Sequence, residues 1–219
     1  LEAVYMSNAA AGPITGQEMI RGQVVLHAMG IGAVPVVNVE NACASASTAF
    51  QQACAMVSGG LHDVVLACGV EKMYHTDKSL TYKALGGAVD VEAKEALLAE
   101  LEANAKASGA SQAAGGAGEK RSMFMDIYAR TARQHMRDFG TTVEQFAAVS
   151  AKNSLHGSLN DRAQFQQAMT VAEVLAAPMI AEPLTRPMCS PVGDGAAAAI
   201  VVSERKAREL GLVGKRAKV

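Results

Sequence analysis

A cysteine stands in a run of small residues, Asn41-Ala42-Cys43-Ala44-Ser45-Ala46, and that run divides two segments of different periodicity. Before it, residues 34–39 are apolar and mostly β-branched, which predicts a buried strand interrupted by Pro35. After it, a helix opens on small residues and runs to about Ser58, where Gly59-Gly60 stop it. Residues 64–70 form a second continuous apolar run of strand length, typical of a strand covered on both faces. Strand, helix, strand is a βαβ unit, so a parallel sheet with a right-handed crossover is expected. Cys43 falls at the strand-to-helix junction. Helix N-terminal amides favour negative charge there and lower a thiol pKa toward thiolate. Its small neighbours leave room for a reactant to reach the sulfur. The competing reading is a buried structural cysteine, the usual fate of a free thiol.

The flanking chain reads as follows. Residues 1–6 predict a short strand and residues 7–16 a Gly/Ala/Pro loop. Residues 17–29 have helical spacing, with Met19, Ile20, Val24, His27 and Ala28 on one face. Beyond Met73 the texture changes. Residues 79–90 are polar and glycine-containing, and residues 92–107 predict a helix with Ala93, Leu97, Leu101 and Ala105 on a stripe. Residues 108–118, nearly all Ala, Gly, Ser and Gln, read as a flexible surface loop. A helix is expected over 121–139, with Phe124, Ile127, Tyr128, Ala132 and Met136 apolar and Gly140 as its cap. Thr141 and Glu144 predict a capping box that starts a helix to about Leu155. A connector, a small helix at 171–176, a buried strand at 196–202 and a basic helix at 204–210 follow, and 215–219 predict the start of another strand. Two sheet-forming blocks, 1–73 and 189–219, therefore flank a helical, loop-rich insertion at 74–188. A strand-edge nucleophile beside such an insertion suggests a lid over an active site.

With 219 residues and a formal net charge of −1, nothing supports a nucleic acid or an anionic membrane as partner. No apolar run approaches the roughly 20 residues that span a bilayer, and no signal peptide is visible. Cys43, Cys54, Cys68 and Cys189 are scattered without CxxC spacing. Reduced thiols in a cytoplasmic compartment are expected, and no metal site.

Three stretches stand out in order: Val39-Glu40-Asn41-Ala42-Cys43-Ala44-Ser45, Leu66-Ala67-Cys68-Gly69-Val70-Glu71-Lys72-Met73, and Cys189-Ser190-Pro191-Val192-Gly193-Asp194-Gly195-Ala196-Ala197-Ala198. Together they resemble the thiolase family, most of all its sterol-carrier-protein-type (lipid-transfer) branch. The resemblance implies an α/β fold, the N-terminal half of the five-layer thiolase architecture, with the second half absent. It implies a thiolase-like acyl-CoA C-acyltransferase that cleaves or forms 3-ketoacyl-CoA through a cysteine acyl-enzyme. Coenzyme A is then a substrate and no cofactor is bound.

The resemblance also implies roles. Cys43 matches the nucleophile, with its own backbone N–H as an oxyanion donor. Met125 matches a residue lining the acyl and pantetheine pocket, or is a core methionine. Just before it, where family members often carry His, stands Phe124, which argues against simple acetoacetyl specificity. Ser190 matches a pantetheine-contacting serine, or is a loop hydroxyl bonded to nearby backbone. His156 is a lid residue in reach of substrate, or a surface histidine. Arg130, Arg133 and Lys152 are candidates for the coenzyme A phosphates, or solvated charges. Asp194 and Gly195 close the turn into the last strand. The family's activating His, a second oxyanion loop and an acid/base cysteine belong to the C-terminal half, so this chain alone is expected to lack turnover. A homodimer is expected. Two alternatives remain: a thiolase-fold retro-aldolase on a branched or steroid-type acyl-CoA side chain, working with a small acyl-CoA-binding partner subunit, and a non-catalytic member that binds acyl-CoA or lipid.

Overall fold

The structure is a computed structural model that describes residues 1–109, 122–212, 214 and 219. The described strands are β1 (Ala3–Ser7), β2 (Val36–Val39), β3 (Val64–Glu71), β4 (Met179–Ala181), β5 (Leu184–Thr185) and β6 (Gly195–Val202). The helices are α1 (Ala11–Thr15), α2 (Arg21–Ala28), α3 (Ser45–Ser58), α4 (Lys78–Leu85), α5 (Lys94–Ala107), α6 (Met123–Phe139), α7 (Val143–Ser158), α8 (Val171–Ala176) and α9 (Glu204–Glu209). The chain divides into two units, Leu1–Ala84 with Val192–Val219, and Leu85–Pro191. No described helix is long and apolar enough to cross a membrane.

The first unit is built on a sheet of order β2-β1-β3-β6. β1 is parallel to β2 and to β3, as the βαβ reading requires, but β6 runs antiparallel to β3, so the sheet is mixed rather than parallel throughout. β1 is central, and all five of its residues are buried. Alternation sends Ala3 and Tyr5 to one face, where they meet Val65, Ala67 and the α3 residues Ala49 and Ala53. Val4 and Met6 point to the other face and meet Leu66 and Leu26 of α2. At Gly22 of α2 an added Cβ would lie 2.6 Å from Met6 Cβ, so glycine is what lets this helix lie against β1.

Two strands expected to be buried are not. In β2 only Val39 is buried, and Val37 is 43% exposed. β6 is largely exposed along its length, with Ile200 at 67%. Both border the described sheet, and a bordering strand has one hydrogen-bonded neighbour. Apolar composition reports β propensity and not how many neighbours a strand has.

Local differences have similar causes. The expected loop at 7–16 contains α1, and the polar stretch at 79–90 contains most of α4. The capping box sits one residue later than expected: the Thr142 N–H donates to Gln145 Oε1 at 2.9 Å. α7 continues to Ser158. On α6 the buried positions are Met123, Asp126 and Ala129, and Tyr128 is 60% exposed. α6 packs on α5, where Leu101 and Ala105 are buried; small Ala129, at 0% exposure, permits the close approach that a tyrosine would block. The β4–β5 hairpin, paired Ala181 to Leu184, was not anticipated because its strands are too short to show periodicity. The expected loop over 110–118 and residues 215–218 of the expected last strand lie outside the described residues.

Polar side chains tie the second unit together. Arg133 of α6 donates to the Glu182 carbonyl at 2.5 Å and to Asn104 Oδ1 of α5 at 3.0 Å. Thr185, 2% exposed, donates to the Val174 carbonyl of α8 at 2.8 Å. Ser150 of α7 donates to the Pro187 carbonyl at 2.7 Å.

Candidate active site

Because β1, β2 and β3 are parallel, their carboxyl ends share one side of the sheet, the usual place for ligand chemistry in such folds. Register makes this concrete. Ser7 pairs with both Val39 and Gly69, and the antiparallel β6 begins at the same end, with Gly195 opposite Glu71. The Cys43 turn, the end of β3 and the Asp194-Gly195 stretch, far apart in sequence, thus emerge together.

Cys43 occupies a 3-10 turn, Ala42–Ala44, that runs into α3. The turn is pinned by its neighbours. The Ala42 N–H donates to Glu40 Oε1 at 2.6 Å, and the Asn41 N–H donates to Ser45 Oγ at 2.8 Å. Ser45 Oγ donates to the Ala42 carbonyl at 2.7 Å, and Asn41 Nδ2 donates to Thr48 Oγ1 at 3.0 Å. Cys43 itself is exposed. Behind it, α3 lies close on β3: a Cβ at Gly69 would be 2.9 Å from Ser7 Oγ and 3.2 Å from Ala46 Cβ.

The end of β3 is equally constrained. The Glu71 carboxylate accepts the Ala9 N–H at 3.2 Å, the Ala10 N–H at 3.1 Å and Asn8 Nδ2 at 3.1 Å. Asn8 also donates to the Val70 carbonyl at 2.6 Å, which anchors the chain leaving β1. Asp194 Oδ1 accepts the N–H groups of Met73 at 2.7 Å and Tyr74 at 2.8 Å, while its Oδ2 pairs with Lys72 Nζ. The Lys72 ammonium bond, then the Tyr74 and Met73 amides, hold the Asp194 carboxyl at about 2.

The cysteines separate by environment. Burial pushes the thiols of Cys68 and Cys189 up, which disfavours their thiolates. Cys189 Sγ is directed at the Thr185 carbonyl at 3.5 Å. Cys54 is half-buried on α3.

The other expected site residues lie in the second unit. Met125 is half-buried on α6, His156 is exposed in the last turn of α7, and Ser190 is exposed just beyond the 3-10 turn Arg186–Met188. No hydrogen bond joins these three to one another among the described residues. Arg133, expected among phosphate candidates, bonds instead within its own unit, and Arg130 pairs with Glu100. Sequence reading passed over Glu40, Ser45, Asn8, Glu71 and Lys72 as polar participants. The one available signal was the Ser/Thr/Asn/Glu content of an otherwise alanine-rich turn.

Residues 1–205 match the family described as thiolase, N-terminal domain. The acetyl-CoA acetyltransferase of Methanothermobacter thermautotrophicus is 38% identical over 209 residues, 95% of this chain and 48% of that protein. Human sterol carrier protein 2 is 31% identical over 214 residues, 98% of this chain and 36% of that protein. The chain thus spans about half or less of the length of these curated relatives. Among solved structures, the Ltp2-ChsH2(DUF35) aldolase has a TM-score of 0.65 at 23% identity, covering 95% of this chain and 46% of that one. The acetyl-CoA acetyltransferase from Syntrophomonas wolfei has a TM-score of 0.57 at 19% identity, covering 96% and 55%. Both share the fold.

Proposed function

Since the chain belongs to the thiolase family through its N-terminal domain, we propose that it carries the nucleophile of a thiolase-type acyl-CoA C-acyltransferase, and that this nucleophile is Cys43. One observation carries the reading. Cys43 is the exposed cysteine, on a hydrogen-bonded turn at the sheet end where the three motif stretches meet.

The chemistry is acyl transfer. The Cys43 thiolate attacks the thioester carbonyl carbon, the new S–C bond forms, and the carbon–sulfur bond to coenzyme A breaks. Coenzyme A leaves as a thiolate that takes up a proton. In the forming direction a carbanion then takes the acyl group from Cys43 and a new C–C bond forms. In the cleaving direction the Cys43 thiolate attacks the 3-keto carbonyl, and the C–C bond to the departing acyl-CoA carbanion breaks. That carbanion takes up a proton, and coenzyme A takes the acyl group from Cys43. The Cys43 N–H is one donor to the tetrahedral oxyanion. In this reading the base that forms the thiolate, and the acid/base for the carbanion, come from a C-terminal half of the family type. Met125, Ser190 and His156 are assigned to the acyl and pantetheine parts of the substrate. The whole protein is a C2 homodimer, the commonest closed assembly.

The fold also admits a second chemistry, retro-aldol cleavage of an acyl-CoA side chain with a small acyl-CoA-binding partner subunit. There Cys43 need not react. Incubation with acetyl-CoA followed by peptide mass spectrometry separates the two. An acetyl group on Cys43, with activity abolished by Cys43→Ala, supports acyl transfer. Activity retained by Cys43→Ala, with no adduct, selects the aldolase.

A further inference from the structure

Ala42 has a φ of 45°, in the left-handed region that residues bearing a Cβ seldom enter. The turn is kept in that shape by its hydrogen bonds, and one partner is buried. Ser45 is 5% exposed, whereas residues 40–44 are exposed. Its hydroxyl uses a lone pair on the Asn41 N–H and its single proton on the Ala42 carbonyl, which also accepts the Ser45 backbone N–H. Water competes poorly for a group buried this way.

The bond to the Ala42 carbonyl has a consequence for its neighbour. That carbonyl and the Cys43 N–H belong to one planar trans peptide, in which C=O and N–H point in opposite directions. Anchoring the carbonyl inward on Ser45 turns the Cys43 N–H outward, to the exposed side of the turn. A left-handed Ala42 is the backbone cost of that orientation.

We propose that Ser45 is a positioning residue for the reaction at Cys43. Its hydroxyl, beside the Ser45 backbone N–H on the same carbonyl and tied also to the Asn41 N–H, tightens the Ala42–Cys43 peptide plane so that the Cys43 N–H faces the oxyanion of a thioester under attack. Ser45 touches no reacting atom, and the proposal rests on the reading of Cys43 as nucleophile. It assigns to Ser45 a share in oxyanion stabilisation and little share in thiol reactivity.

Two reactions of the same sulfur distinguish those shares. Acylation by acetyl-CoA passes through an oxyanion, whereas alkylation by iodoacetamide is a displacement at carbon that forms none. Both rates at Cys43 are measured by peptide mass spectrometry in the protein as expressed from its whole gene, with thermal unfolding followed alongside. Ser45→Ala should slow acylation about tenfold, less than the 10²-fold of deleting an oxyanion donor outright, because the Ser45 backbone N–H still holds the Ala42 carbonyl, with alkylation nearly unchanged. Ser45→Thr, which keeps the hydroxyl, should acylate like the parent, and its isostere Ser45→Val should behave like Ser45→Ala. If Ser45→Ala does not fold, the Thr and Val pair carries the comparison. Equal acylation in Thr and Val variants overturns the proposal, as does parallel slowing of acylation and alkylation. A parent protein that alkylates at Cys43 but never acylates there removes the nucleophile reading itself, a different outcome from either.

Discussion

Asp194 and Lys72, 122 residues apart in sequence, are joined by an ion pair where β3 ends and β6 begins. The same Asp194 carboxylate receives the backbone N–H groups of Met73 and Tyr74. Lys72 Nζ also donates to the Tyr74 carbonyl at 2.5 Å and lies 5.5 Å from the centre of the Tyr74 ring. One acidic side chain thus closes the antiparallel corner beside the Cys43 end of the sheet.

This corner should weaken in acid. The Asp194 carboxyl, ordinarily near 3.8, is held at about 2, so its charged form is favoured by folding. That contribution is complete above the unfolded value and is lost as pH falls through about 4 toward 2. Thermal unfolding of the parent and of Asp194→Asn should differ most near pH 7, and the gap should narrow below about pH 4 and close near pH 2. A gap independent of pH would contradict the assignment.

Iodoacetamide should label Cys43 ahead of Cys68 and Cys189 in the folded protein. Cys43 is exposed, while burial raises the thiols of the other two. Time-resolved peptide mapping reads the order, and faster labelling of Cys68 would count against the candidate site.

Gly69→Ala should destabilise by roughly 1–3 kcal/mol, the usual cost of overpacking. The new Cβ would meet Ser7 Oγ at 2.9 Å and Ala46 Cβ at 3.2 Å, so either β1 or the first turn of α3 must give way. Urea denaturation measures the change, and a neutral result would mean the helix shifts freely over the strand.

Thr185→Val should cost about 1 kcal/mol, because it removes a buried hydroxyl bond and leaves the Val174 carbonyl only the Ala177 N–H at 3.4 Å. The loss should be read from denaturant midpoints at an unchanged m-value.

If the proposed homodimer forms, its interface is expected at β2, since this strand borders the described sheet and Val37 is 43% exposed. Val37→Lys places a charge on that border and should shift light-scattering mass toward the monomer. An unchanged mass would move the interface elsewhere.

The residues determined much of this by local rules. A β-branched run, a small-residue turn and a helix stopped by Gly59-Gly60 lie close together in the chain. Their spacing alone placed Cys43 at the head of α3, and the three motif stretches pointed to the family. Tertiary structure decided what depends on distant neighbours. Residues 34–39 and 196–202 read as buried, yet the strands they form border the described sheet, because exposure depends on which elements flank a segment. α6 buries Met123, Asp126 and Ala129 because α5 lies close enough to favour a small residue over Tyr128. The roles of Ser45 and Asp194 were invisible for the same reason. A hydroxyl or carboxylate has chemistry in sequence, but its partners, the Ala42 carbonyl and the Met73 and Tyr74 amides, are chosen by the fold.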